Sequence, residues 1–347
     1  MTTYYATYAA LLFAVFASNG RRDVRALLYW TVLVGLFLFS GFRWQVGCDW
    51  TGYLFNYDLW RTGPNADPWS ESEPAYWALI DYLKSNGFAY PYLNVATSLV
   101  FFAGLHVIAR KQANPLAYLV LAFPILIINM PMSGIRQAAA IGFVCMAFVA
   151  FSSKRPLVFA GLIGLGALFH SSALVFLLMT PLVLGRFSKR NLILAAILAA
   201  PGVYFLLQSE PAEVATARYI NTGIDAAGAA FRLGLLVLTG AVYFKYLQKS
   251  WRSNFPDDYK LVSLGALMMV AFSGLIFVST VIGDRFGYYL IPIQLIIFTR
   301  IPYLLNIRNR QPLVLAPYAL LTLVFVVWTQ LSWHFQKCYI PYDTFLF

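Results

Sequence analysis

Apolar runs of about 15 to 25 residues recur along the whole chain between short polar connections, each close to the ~20 residues a helix needs to cross a hydrocarbon core. Runs of that length predict helices rather than barrel strands, because a helix satisfies its own backbone hydrogen bonds in lipid. About twelve crossings are predicted, near 4–18, 26–42, 91–109, 116–132, 134–152, 156–169, 171–185, 191–208, 231–248, 261–283, 286–300 and 312–334. The first run, Tyr4–Ser18, has no basic segment before it and no small-residue cleavage site after it, so it reads as a retained helix. Pro156–Gly185 leaves only 30 residues for two crossings. At about 1.5 Å per residue such a pair barely spans, so it is expected to dip inward under a cavity, with His170 at its turning point.

Composition agrees with this pattern. The 347 residues are 60% hydrophobic and 11% charged, beyond the roughly 45–50% apolar content of soluble domains. Nothing is left over for a soluble domain, so residues 1–347 read as a single multi-spanning, all-α membrane domain with external loops near 43–90 and 208–231. Its stable surroundings are a lipid bilayer. A net charge of +11 could suggest nucleic acid, but in a membrane protein the placement of basic residues matters more than their sum, and nucleic acid is not an expected partner. Clusters at Arg21/Arg22/Arg25, Arg110/Lys111, Lys154/Arg155, Arg186/Lys189/Arg190, Lys245/Lys249/Arg252/Lys260 and Arg300/Arg308/Arg310 hold 17 of the 25 basic residues, which makes these loops cytoplasmic. The other connections hold 11 of the 14 acids and fall outside, together with both termini.

The external side gathers the polar chemistry. It has the loop Arg43–Pro74, the segment Gln208–Phe231 and a tail from His334, which together could form a partial lid. After the first loop, AYWALIDYLKSNG suits a helix lying at the interface without crossing. Trp44, Trp50, Trp60, Trp69 and Trp77 suit two jobs, anchoring at the headgroups or stacking on sugar rings. Cys48 and Cys338 both fall on this side, where a disulfide is chemically permitted, although nothing in the sequence brings them together. Three cysteines without a close pair exclude a zinc cluster or a CxxC redox motif. There is no Walker A sequence, GxGxxG, HExxH or GxSxG.

What remains is a set of single ionisable residues at the outer ends of helices: Arg43, Asp49, Glu73, Arg136 with Gln137, His170, Arg218, Asp284 and Arg285. An arginine near the hydrocarbon ordinarily faces a polar cavity or a partner, although Arg136 could instead snorkel to the headgroups. Asp284 and Arg285 could form a local ion pair. Several guanidinium forks aimed at one cavity fit a multiply charged anion such as a diphosphate. Carboxylates and an imidazole nearby would supply a general base for a hydroxyl nucleophile. No cofactor or metal is required for such chemistry.

These residues stand in recognisable stretches: GFRWQVGCDWTGYLFNY (Gly41–Tyr57), SEPAYWAL (Ser72–Leu79), SGIRQAAA (Ser133–Ala140), FHSSALVF (Phe169–Phe176), DRFGYY (Asp284–Tyr289) and YIPYDTFLF (Tyr339–Phe347). In order and separation they resemble the EpsG family of Wzy-type polysaccharide polymerases of bacterial exopolysaccharide and O-antigen assembly. Cys48 departs from the small or hydroxyl residue expected at its place. The resemblance implies a GT-C-like glycosyltransferase in the bacterial cytoplasmic membrane, with its active site facing the periplasm or exterior. It would transfer a growing glycan from undecaprenyl diphosphate to the next lipid-linked oligosaccharide, and a chain-length regulator is an expected partner. Arg136, Arg43, Arg285 and Gln137 are the expected diphosphate ligands. Asp49 is the first candidate base, with His170 and Glu73 as alternatives, and Trp44, Tyr53 and Tyr289 are the expected substrate contacts. A flippase for lipid-linked or anionic glycans would use the same arginines for binding alone, and an O-antigen ligase would share the donor but change the acceptor.

Overall fold

The computed structural model describes residues 1–18, 21–63, 66–185, 228–272, 279–304 and 311–346, with a few isolated positions between them. The expected crossing at 191–208, Arg218 and most of the expected loop at 208–231 lie outside the described residues. In chain order the helices are α1 (Thr2–Ala17), α2 (Arg22–Gly41), α3 (Trp50–Leu59), α4 (Pro74–Ser85), α5 (Pro91–Ala109), α6 (Pro115–Ile127), α7 (Ile135–Ser152), α8 (Pro156–Ala167), a 3-10 helix Ser171–Leu182, α9 (Ala229–Asn254), α10 (Tyr259–Phe272), α11 (Thr280–Leu304), α12 (Gln311–Leu331) and α13 (Trp333–Tyr339). Among the described residues there is no strand, and the isolated backbone bridge pairs Arg43 with Thr344. Six of the helices, α2, α5, α7, α9, α11 and α12, are long and apolar enough to cross a membrane.

Local chemistry sets the starts of these helices. Pro74, Pro91, Pro115 and Pro156 each occupy the first helical position, where a missing N–H is harmless and a φ near −65° is already helical. Asn114 completes one such start, its side-chain oxygen accepting from the Ala117 N–H at 3.2 Å. Pro124 removes an interior donor from α6, and there the helix widens into a π turn over Phe123–Ile127. The stretch with too few residues for two crossings is α8, of 12 residues, followed by a 12-residue 3-10 helix with Pro181 inside it.

The chain forms two compact units. In the first (residues 1–146, 165–171 and 311–347), α2 packs on α5 and α6, α1 packs on α6, and α4 packs on α5. Helices α5 and α7 approach so closely that a Cβ at Gly104 would meet the Gly142 carbonyl oxygen at 2.0 Å, the close backbone approach that small residues permit between membrane helices. An aromatic cluster ties the tail to this unit: Tyr4 lies edge-on to Phe39, Phe335, Tyr339 and Tyr342 and donates to the Tyr339 carbonyl at 2.9 Å.

In the second unit (residues 147–164 and 172–310), α9, α10 and α11 pack against one another. Gln294 in α11 donates to Thr239 Oγ1 at 2.8 Å and to the Leu235 carbonyl at 3.2 Å. Arg300 pairs with Asp258 and lies over the rings of Trp251 and Phe255.

Candidate functional site

The first unit assembles its charges around Glu73. This residue caps α4 with left-handed backbone (φ 65°, ψ 56°), a conformation that costs an L residue roughly 1–2 kcal/mol and is disfavoured further by Pro74 behind it. What holds it there is a clip between distant segments: the Ala75 N–H donates to the Leu168 carbonyl at 3.0 Å, and the Ser171 N–H donates to Glu73 Oε1 at 3.2 Å. Strain of this kind is kept where the surroundings over-determine it, commonly at functional sites.

Arg136 reaches the same carboxylate from the first turn of α7, its Nη1 donating to Glu73 Oε2 at 2.6 Å. Its guanidinium lies 5.7 Å from the ring centre of Tyr53 and 5.3 Å from that of Tyr76, which hold it in a cation–π clamp. A cation in the first turn opposes the positive end of the helix dipole, so helix and guanidinium together favour an anion. Glu73 meets part of that demand, and 30% of the Arg136 side-chain surface stays open against 9% for Glu73. Among the described residues, Arg136 Nε and the Tyr76 hydroxyl are buried polar atoms without a hydrogen-bond partner, an arrangement few native groups adopt.

His170 comes to the third side of Glu73. Its buried imidazole Nδ1 is 3.6 Å from Glu73 Oε1, and the His170 backbone N–H donates to the Gly166 carbonyl at 3.0 Å, which turns the chain out of α8. Phe169 beside it stacks on Phe143 of α7.

Asp49 stands at the N-cap of α3, exposed, with Oδ2 accepting from Ser133 Oγ at 3.3 Å. Tyr53, one turn on, is buried and couples these charges: burial pushes its phenol pKa up, the Arg136 guanidinium pulls it down, and Asp49 and Glu73 push it up again. Asp49, Glu73 and Arg136 are therefore all within electrostatic reach of one ring. The loop that carries Asp49 is tightly built. Gly47 has φ 108°, and a Cβ there would sit 1.9 Å from the Met132 carbonyl oxygen, so only glycine fits. Cys48 and Cys338 form a disulfide across 290 residues.

The other sequence candidates have their own surroundings. Arg43 is fully buried, its guanidinium donating to the carbonyls of Val46 (2.8 Å) and Ser40 (2.9 Å) and to Asn94 Oδ1 (3.0 Å). Those bonds make it the centre of the loop's own core. Trp44 is 38% exposed and lies edge-on to Trp50, while Gln137 is buried beside Arg136 in α7. Arg285 and Tyr289 belong to the second unit. Asp284, which could have paired locally with Arg285, receives Arg232 bidentately, Nε to Oδ1 and Nη2 to Oδ2, both at 2.7 Å, with Tyr288 under the guanidinium. Tyr289 is fully buried, and its hydroxyl accepts from Ser172 Oγ at 3.0 Å. The sequence reading passed over Arg232, which sits inside an apolar run, and Ser133, whose hydroxyl meets Asp49; an arginine within a spanning segment is itself the signal that could have found the first.

Neither a curated protein nor a solved structure matches the chain. The sequence model of the EpsG family matches residues 26–344, a span containing Asp49, Glu73, Arg136 and His170. The chain belongs to the EpsG family.

Proposed function

We propose that this protein is a Wzy-like polysaccharide polymerase: a GT-C-like membrane glycosyltransferase of about twelve crossings, working at the outer face of a bacterial cytoplasmic membrane. Family membership supports the class of activity. The observation that carries the site is Arg136, a guanidinium fixed by one carboxylate and two rings yet open on one side. The outward orientation is supported by the basic loops and by the Cys48–Cys338 disulfide, which suits an oxidising compartment.

In this reading the donor is a glycan on undecaprenyl diphosphate and the acceptor a hydroxyl of the next lipid-linked repeat. The acceptor oxygen bonds to the anomeric carbon as the bond from that carbon to the diphosphate oxygen breaks, and the configuration inverts. Negative charge grows on the departing diphosphate, and Arg136 at the positive end of α7, with Gln137 beside it, stabilises that charge more as it grows. The acceptor proton passes to Asp49. Glu73 is a weaker choice of base because both of its oxygens are engaged, so it serves as the residue that positions Arg136 and His170. Arg43 is given a structural role because its donors are used inside the loop.

The test is to incubate the purified protein in nanodiscs with its lipid-linked repeat, without nucleotide or added metal, and separate the products on a gel. A ladder of products supports the polymerase. Transfer to a different acceptor without a ladder points to a ligase, and movement of intact substrate across sealed vesicles points to a transporter.

A further inference from the structure

The tail of the chain grips the loop that carries Asp49 at more points than a surface segment needs. The Gly47 N–H donates to the Cys338 carbonyl at 2.7 Å, and the Cys48–Cys338 disulfide closes over the next residue. Further along, the Trp44 N–H donates to the Asp343 carbonyl (2.9 Å), and the Phe345 N–H and Thr344 hydroxyl both donate to the Phe42 carbonyl (3.0 and 2.7 Å). Tyr342 donates to the Phe39 carbonyl at 2.9 Å and stacks flat on the Phe39 ring. On its other side the loop has no slack, since Gly47 lies against the Met132 carbonyl and Ser133. Asp49 follows the disulfide by one residue, and Arg136 follows Ser133 by three.

We propose that the tail is a positioning element of the site, with Cys48, Cys338 and Gly47 as positioning residues that hold Asp49 against Ser133 and so keep the carboxylate in register with the first turn of α7. The inference rests on the polymerase reading for its effect on rate, but its structural content stands without it. A loop fixed only by Arg43 would keep its core and still let residues 47–49 swing, because the Arg43 hydrogen bonds end at Val46. The disulfide and the Gly47–Cys338 bond are what carry the restraint to Asp49. Misplacing a reacting group by about 1 Å can cost on the order of 100-fold in rate, so a restraint of this kind matters to catalysis more than to folding.

Two measurements on the full-length protein in nanodiscs decide the matter. The first is amide hydrogen exchange on wild type and on the Cys48→Ser/Cys338→Ser double variant, without substrate. Faster exchange by about tenfold or more in Gly47–Tyr53 and Met132–Gln137, with α5 unchanged, is the expected result. Faster exchange confined to the tail overturns the proposal, whether or not the protein polymerises. The second is a cycle of polymerisation rates combining the cysteine double variant with Asp49→Asn. If the disulfide acts through Asp49, its loss lowers kcat by at least about tenfold in wild type and little further in the Asp49→Asn background. Two losses that simply multiply mean a merely structural disulfide and overturn the proposal. A wild type that does not polymerise counts against the function proposed above, and the exchange result then decides the positioning alone.

Discussion

Arg136 Nη1 lies 2.6 Å from Glu73 Oε2, and the two residues are joined across 63 positions of sequence by the first turn of one helix and the strained cap of another. The pair places a cation where an anion is favoured and leaves part of that cation open. Residues that act at this opening and residues that build its frame should respond differently to substitution.

Arg136→Ala should lower polymerisation by about 100- to 1,000-fold, the effect of removing one donor to a developing negative charge, while single repeats persist on lipid. Arg136→Lys should recover only part, because an ammonium keeps the charge and loses the fork. Product ladders on a gel read both. Undiminished polymer from a normally inserted Arg136→Ala protein would remove this residue from the mechanism.

Glu73→Gln keeps the shape of the cap and removes its charge. Combined with Arg136→Gln in a double-mutant cycle, it should show a coupling of about 0.5–3 kcal/mol in transition-state stabilisation. Additive effects would mean the ion pair has no part in catalysis.

Arg43→Met should act on folding first. It leaves the carbonyls of Ser40 and Val46 without the guanidinium, each at a cost of about 1–3 kcal/mol, and Asn94 Oδ1 with the longer bond from the Tyr90 hydroxyl at 3.5 Å. Thermal unfolding in detergent should show a marked fall in Tm, whereas in Arg136→Ala the loss of polymerisation should far exceed what its own change in Tm accounts for. A wild-type Tm for Arg43→Met would contradict the division of roles between these arginines.

Gly47→Ala should also destabilise the loop, by about 1–3 kcal/mol for the left-handed backbone and more for the collision with Met132. The same substitution at Gly52, where a Cβ meets nothing within 4 Å, is the control. A melting temperature unaffected at Gly47 would show that the loop does not lie against Met132.

In the second unit, Arg232→Met alone leaves Asp284 as an uncompensated buried carboxylate and should cost about 3–5 kcal/mol. Adding Asp284→Leu should restore much of that stability, because an apolar pair of similar volume can replace a buried ion pair. If the double variant is no more stable than the single one, the bidentate pair is not the source of the loss.

Much of the framework was legible in the sequence. The helix over 91–109 lies where the apolar run lies, α7 begins one residue after the predicted start at 134, and α4 falls on the segment assigned to the interface. Proline stands at four of the helix starts, a signal of the first helical position that the apolar runs alone do not use. Partners were not legible, because pairing is decided in space. Arg43 and Arg136 look alike as sequence, each an arginine at a helix end, yet one is sealed among carbonyls and the other is open. Asp284 has an arginine beside it in sequence and bonds to one 52 residues away. The Cys48–Cys338 bond could be permitted but not inferred, and the left-handed backbone of Glu73 has no sequence signal, since glutamate is a residue that ordinarily avoids it.

The disulfide also imposes an order in time. Cys338 follows Cys48 by 290 residues, so when Glu73, Arg136 and His170 have all been synthesised the loop of Asp49 still lacks its covalent tie. A chain that ends before residue 338 would therefore keep the residues of the Arg136–Glu73 pair and lack the covalent tie beside Asp49, so under the polymerase reading its loss should show in turnover before it shows in anion binding.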